Sequence, residues 1–185
     1  MAQQKVTKRK TGAKKKFFEV EVPLTASKVH LYGYAQEDFN GKVITLDLTR
    51  NLRGKNLELK AKIKLNNDQL NAELVNLQLM PSYIRKVMRR GIDYVEDSFV
   101  TECKDAKITI KPFMIARNRV SRKIRKALRD TAKKHLIAYC TIRNTEEIFS
   151  EIISNKLQRD LSLKLKKVYP LALCEIRILE ILQNK

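Results

Sequence analysis

Alternating apolar and polar positions dominate the first half of the chain and predict β-strands. Between positions 57 and 65, Leu, Ala and Ile alternate with Glu and Lys, which is the period-2 pattern of a strand with one face in water. A turn at 66–68 and a partner strand at about 71–79 complete a predicted hairpin. Four further strands are predicted, at 17–22, 42–48, 99–102 and 106–110. After the last of these we expect Pro112 to interrupt the ladder, because proline has no N–H to donate to it.

Helical periodicity replaces this alternation in the second half. Apolar residues at spacings of three and four predict three helices, at 81–90, 118–137 and 144–168. Gly91 is a natural end for the first helix. The third should begin at Asn144, with Glu147 returning a hydrogen bond in a capping box. A closing strand is predicted at 174–182.

These elements predict an α+β fold, in which basic amphipathic helices flank an antiparallel β core. The length of 185 residues and the hydrophobic content of 43% suit one domain of ordinary size, which we place at 17–185. Residues 1–16 hold seven Lys and Arg, no acidic residue and little to bury. We therefore expect a disordered basic tail at the N-terminus.

The net charge of the chain is extreme, at +19 with a pI near 10.0. Basic and acidic residues cancel at eight each over 17–80, whereas 81–185 holds 24 basic and 12 acidic residues. Such an excess favours a polyanionic partner, and nucleic acid is the obvious one. A membrane is disfavoured, since no apolar run approaches the ~20 residues of a membrane-spanning helix and there is no Trp for anchoring. The start of the sequence lacks the apolar stretch of a signal peptide, so we expect the protein to stay in the cytoplasm or to reach the nucleus.

Two sets of cations are candidate RNA contacts. The tail supplies Lys5, Lys8, Arg9, Lys10, Lys14, Lys15 and Lys16. The first two predicted helices and the segment before the second supply Arg85, Lys86, Arg89, Arg90, Arg117, Arg119, Arg122, Lys123, Arg125, Lys126 and Arg129. Neutralised phosphates release counterions, and the arginine fork also stacks on bases, so these residues favour structured RNA recognised by backbone and shape. Two simpler interpretations stay open: a solvated helix face, and a tail for solubility or nuclear import.

Catalytic and metal-binding patterns are missing from the sequence. It has no glycine-rich nucleotide loop and no serine-hydrolase or zinc-peptidase motif. His30 and His135 have no Cys or acidic residue at zinc-ligand spacing, and Cys103, Cys140 and Cys174 are expected to be buried thiols. We therefore expect no enzyme activity, cofactor, metal or small-molecule substrate, which disfavours an RNA-modifying enzyme.

Four stretches carry a family resemblance. They are GKVITLDL at 41–48, LQLMPSYIRKVMRR at 77–90, ARNRVSRKIRKALRD at 116–130 and KVYPLALCEIRILEI at 167–181. In this order they resemble the small-subunit ribosomal protein family of archaea and eukaryotes called eukaryotic-type S-one, formerly S-three-a-e. The match runs from about Phe17 to Leu182.

The resemblance implies a β-barrel-like core flanked by helices, on the platform of the small subunit near the messenger RNA exit. It implies small-subunit rRNA and neighbouring ribosomal proteins as partners, a role in subunit assembly and translation, no catalysis, and a cytoplasmic location on the ribosome. Whether messenger RNA is contacted directly stays open. The alternative is a free nucleic-acid-binding or RNA-chaperone protein, which should bind duplex DNA about as well as rRNA.

Overall fold

The computed structural model of the chain describes residues 14–25, 28–52, 54–66 and 69–182. Most of the predicted tail and of the predicted turn at 66–68 lie outside the described residues. Within them the strands are β1 (Lys16–Glu21), β2 (Lys28–Gly33), β3 (Val43–Asp47), β4 (Leu57–Asn66), β5 (Gln69–Leu79), β6 (Tyr94–Glu96), β7 (Phe99–Glu102), β8 (Lys107–Ala116) and β9 (Leu171–Leu182). The helices are α1 (Pro81–Val87), α2 (Arg122–Thr141), α3 (Thr145–Ile153) and α4 (Lys156–Leu165).

The chain forms two compact units, of which the first holds positions up to 43 and positions 62–73. β1 and β2 pair antiparallel along their whole length. β1 also meets β5 in a short parallel contact. Several elements of this unit contribute buried apolar side chains, including Val20, Phe39 and Ile63.

The second unit holds positions 44–61 and those from 74 onwards. Its centre is the long antiparallel pair of β8 and β9. β6 and β7 pair in succession with the free edge of β8, and β5 pairs antiparallel with β9. α2 packs against β6, β7 and α4, while α4 packs against α3 and β9. The buried helix positions are Leu128, Ala132, Leu136, Cys140, Ile148, Phe149, Ile152, Leu157, Leu161 and Leu165.

The predicted α+β class is confirmed, and most predicted strands are present. The strands expected at 17–22, 42–48, 57–65, 71–79, 99–102 and 174–182 correspond to β1, β3, β4, β5, β7 and β9. Among the described residues the sheet is open rather than a closed barrel, because the path of paired strands has β2 at one end and β6 at the other. β2 and β6 are strands that the sequence pattern did not predict. The single domain over 17–185 stays a prediction.

The strand expected at 106–110 corresponds to β8, which runs further than predicted, through Pro112 to Ala116, while the expected interruption of the ladder at Pro112 is present. β7 pairs with β8 only as far as Ile110, and β6 begins its pairing at Phe113. No strand on that side therefore needs an N–H from Pro112. On the other side, the register against β9 shifts between Lys111 and Pro112, so an irregularity in the ladder accommodates the proline.

Helix boundaries also differ from the prediction. α1 ends at Val87, before the paired Arg89 and Arg90. α2 begins at Arg122, later than expected, because Ser121 is its N-cap and accepts a hydrogen bond from the Ile124 N–H at 3.4 Å. The residues expected to form the first turn of this helix therefore lie in an extended segment.

The third predicted helix is in fact two helices. Its start is confirmed, since the Asn144 N–H donates to the Glu147 carboxylate at 3.3 Å in a capping box. The break between α3 and α4 is at Asn155, whose φ of 59° is left-handed. The Ile152 carbonyl accepts from the Asn155 N–H at 3.2 Å and from Gln158 Nε2 at 2.9 Å, so the buried Gln158 side chain ties the start of α4 to the end of α3.

Candidate nucleic-acid interface

α2 is an amphipathic helix whose basic residues are sorted by the fold. Leu128, Ala132, Leu136 and Cys140 are buried on the side of the helix that packs against the sheet and α4. Arg122, Arg125, Lys126 and Arg129 recur at spacings of three and four, so they share one face of the helix. Arg125 is half-buried and the other three are exposed. This face is a row of four cations held in place by a packed core.

An exposed tyrosine of β6 lies beside this row. The two elements enclose a cleft of about 350 Å³, lined by Tyr94, Arg122, Arg125, Lys126, Arg129 and Asp130, and we call it the Tyr94 cleft. The Tyr94 ring is 47% exposed and stands 6.1 Å from the Phe113 ring, centroid to centroid. An anchored aromatic face among arginines is suited to stacking and phosphate contact together.

Asp93 joins two of the predicted basic segments. The Ala116 N–H donates to its carbonyl at 3.0 Å, and the Val120 N–H donates to its carboxylate at 2.8 Å. Arg117 and Arg119 lie between these two anchor points and are exposed. The segment is therefore pinned next to Tyr94, the residue that follows Asp93.

Arg89 and Arg90 lie close to Asp93 in the sequence. Both are exposed, and only Gly91 and Ile92 separate them from Asp93. Gly91 has a φ of +82°, a left-handed conformation that favours glycine, so the chain turns there after α1. The structure thus ties the segment 117–119 to Asp93, and Arg89 and Arg90 come shortly before Asp93 in the chain.

Seven predicted residues do not line the Tyr94 cleft, namely Arg85, Lys86, Arg89, Arg90, Arg117, Arg119 and Lys123. Arg85 and Lys86 are exposed on α1, and Lys123 is exposed on α2 but outside the row of four. Arg129 borders a second cleft of about 580 Å³ that also contains Lys111 and Arg177. There Arg177 donates to both oxygens of Glu96, at 2.8 and 2.9 Å, so its charge is already compensated.

The cations of the candidate interface are unopposed. Within the part of the chain that the structure describes, none of the eleven predicted at 85–129 lies within 4.0 Å of a carboxylate oxygen. Basic residues elsewhere do form such pairs, namely Lys28, Lys55, Lys64, Lys107, Arg143 and Arg177. A surface that keeps its positive charges free is suited to an anionic partner.

The predicted tail is described only from Lys14 onwards. Lys14, Lys15 and Lys16 are exposed and belong to the first unit. Lys5, Lys8, Arg9 and Lys10 lie outside the described residues. Tyr94 was missed by the sequence reasoning; a signal for it would have been an aromatic residue close after the Arg89–Arg90 pair and the Gly91 turn.

Other chemistry is sparse in the described part of the chain. It contains no group of three or more His, Cys, Asp and Glu placed to hold a metal ion. No helix there is both long and apolar enough to cross a bilayer. Cys140 and Cys174 are buried as expected, while Cys103 is half-buried. Burial raises the pKa of the Cys174 thiol to about 12.

Comparison with known proteins identifies the family. The model of the Ribosomal S3Ae family matches residues 3–185. A small ribosomal subunit protein eS1 from Nanoarchaeum equitans is 26% identical over 165 residues, covering 85% of this chain and 83% of the relative. Its namesake from Methanothermobacter thermautotrophicus is 27% identical over 139 residues, covering 72% of this chain and 71% of the relative. The resemblance carried by the four sequence stretches is thereby confirmed, and the chain belongs to the Ribosomal S3Ae family.

Proposed function

We propose that this chain is a structural protein of the small ribosomal subunit and that it binds rRNA through the Tyr94 cleft and the cations around it. Membership of the Ribosomal S3Ae family supports the ribosomal role, as do the names of its relatives. The unopposed cations support the rRNA contact. The role is that of a scaffold, with no catalytic step.

The observation that carries this proposal is the concentration of free arginines around one exposed aromatic ring. Arg117, Arg119, Arg122 and Arg129 are exposed, and their guanidinium groups pair bidentately with phosphates. Each neutralised phosphate releases condensed counterions, so several such contacts add up to strong, salt-sensitive binding. The rigid sheet below α2 fixes the spacing of these groups before RNA arrives, which lowers the entropy lost on binding.

The location of the protein within the small subunit is also part of the proposal, and it is taken from the family resemblance. We place the protein on the platform of the small subunit near the messenger RNA exit, in contact with rRNA and with neighbouring ribosomal proteins. Direct contact with messenger RNA near the exit belongs to the same proposal. On this basis the protein acts in subunit assembly and translation in the cytoplasm.

The test removes two charges from the Tyr94 cleft. Changing Arg122 and Arg125 to Ala should weaken binding to small-subunit rRNA and reduce the magnitude of the salt slope by roughly one unit per lost phosphate contact. The matched control changes Lys166 and Lys167 to Ala, because these two exposed cations lie at the end of α4. Binding is measured by filter retention over a series of salt concentrations.

Two results would contradict the proposal. Equal losses in the two variants would mean that net charge alone, not the Tyr94 cleft, determines binding. Equal affinity of the wild-type protein for duplex DNA and rRNA, together with absence from sedimenting small subunits, would instead favour a free nucleic-acid-binding or RNA-chaperone protein.

A further inference from the structure

The β1–β2 hairpin exposes three aromatic side chains on the first unit. Phe17 is 71% exposed, Tyr32 57% and Tyr34 53%. Phe17 and Tyr32 are directly opposite in the strand register, and their ring centroids are 4.9 Å apart. Exposed aromatic clusters are uncommon on soluble surfaces and mark binding sites. We call this cluster the aromatic platform.

A lysine lies over the platform. The Nζ atom of Lys15 is 5.3 Å from the ring centroid of Tyr32 and also 5.3 Å from that of Tyr34. This is cation–π distance, so the ammonium group links the two tyrosines. Lys14 and Lys16 are exposed on either side of it. The rings therefore stand at the positively charged end of the hairpin.

Negative charge on the hairpin is compensated farther along the same strands. Lys28 Nζ is 3.6 Å from a Glu19 carboxylate oxygen and 3.4 Å from one of Glu21. Glu19 is also 3.9 Å from His30 Nδ1, its cross-strand partner. The cations at the platform end have no such carboxylate partner among the described residues.

The platform also lies at an edge. β2 pairs with β1 and is the terminal strand of the path, so nothing in the described chain covers its outer side. Tyr34 borders a concavity of about 340 Å³ that Lys16 and Phe18 also line. Among the described residues, the rings and the lysines beside them are therefore open to a polymer, and the concavity beyond Tyr34 is also bordered by Glu37.

We propose that the aromatic platform binds unpaired ribonucleotides by stacking bases on Tyr32 and Tyr34, as the Lys15 ammonium group moves from the ring faces to a flanking phosphate and Lys14 and Lys16 contact neighbouring phosphates. The partner must combine negative charge with flat apolar faces, and single-stranded RNA has both in every nucleotide. An acidic protein segment would satisfy the lysines but leave the rings unused. This inference rests on the proposed rRNA-binding function and adds a second contact of different chemistry, tolerant of base sequence.

The experiment uses the full chain and a single-stranded RNA of about 12 nucleotides carrying 2-aminopurine, whose fluorescence falls when the base stacks. A variant with Tyr32→Ala and Tyr34→Ala should bind about a hundredfold more weakly, as expected for two lost stacking contacts of about tenfold each, with less quenching. The matched variant with Tyr32→Phe and Tyr34→Phe keeps both rings and should behave like the wild type. Circular dichroism checks that both variants fold.

The outcomes separate this proposal from the function on which it rests. Unchanged oligonucleotide binding in the Ala variant, with rRNA binding still lost in the Arg122 and Arg125 variant, overturns the platform alone. Failure of the wild-type protein to bind any RNA overturns both. If the Tyr32 and Tyr34 Ala variant binds the oligonucleotide normally but is poorly incorporated into small subunits, the platform contacts a protein neighbour, and this result also overturns the proposal.

Discussion

Lys55 and Glu175 form a buried ion pair in the second unit. The two charged atoms are 2.5 Å apart, and the side chains are 9% and 11% exposed. Lys55 Nζ also donates to Asn155 Oδ1 at 2.8 Å, which ties the break between α3 and α4 to this site. Burial raises the pKa of Tyr83, and the charge of Glu175 raises it further. The buried negative charge of Glu175 is therefore compensated by the positive charge of Lys55.

At the residue scale, we predict that Lys55→Met lowers the free energy of unfolding by about 3–5 kcal/mol, because it leaves Glu175 buried without a partner. Urea unfolding followed by circular dichroism measures the change. Adding Glu175→Leu to the same chain should recover part of the loss, since no charge is then buried. Lys107→Met, which removes an exposed pair with Glu102, is the control and should change stability little. A similar small effect at Lys55 would show that the buried pair is dispensable.

At the scale of elements, α2 carries its positive charges at the unfavourable end. Arg122, Lys123 and Arg125 are in its first turns, and its first turn holds no acidic residue. The N-terminus of a helix is the positive end of its dipole, so these cations are destabilising there in the free protein. A bound phosphate relieves that repulsion. The charge pattern of α2 therefore fits RNA binding better than the stability of the isolated chain.

This pattern predicts opposite effects of one substitution. Arg122→Gln should stabilise the free protein by about 0.3–1 kcal/mol, because it removes a positive charge from the helix N-terminus. The same variant should bind rRNA more weakly, since a phosphate contact is lost. Thermal unfolding and filter binding on one preparation measure the two effects, with Lys166→Gln as a control beyond α4. Loss of stability in the Arg122 variant would mean that its side chain has a structural role.

At the scale of the whole molecule, the net charge of +19 opposes compaction of the free chain. Raising the salt concentration from ~0.05 to ~0.5 M screens this repulsion. We predict that the melting temperature of the free protein then rises by roughly 2–4 °C, the shift that about 1 kcal/mol produces in a chain of this size. Affinity for rRNA should fall over the same range. Salt responses of the same sign in the two measurements would contradict an electrostatic origin.

The sequence alone determined the features of secondary structure that depend on residues close together in the chain. The alternation over 57–65 places Leu57, Leu59 and Ala61 on a buried face, as the period-2 pattern predicts. The Asn144–Glu147 capping box is likewise a local interaction, and the structure confirms it. Periodicity failed where one residue changes the backbone, as Asn155 does between α3 and α4. At Pro112 the local rule predicted the interruption of the ladder but not the continuation of β8 beyond it, which the gap between β6 and β7 allows.

The arrangement of the candidate site was decided only by the tertiary structure. The cations themselves were visible in the sequence, but Asp93 reaches the backbone of Val120 across 27 positions, and Lys55 reaches Glu175 across 120. Such contacts depend on which strands pair and how helices pack on them, which no local period encodes. For the same reason the Tyr94 cleft and the aromatic platform became apparent only in three dimensions. The sequence by itself indicated a polyanionic partner through its net charge, and the fold determined which of the cations lie close together.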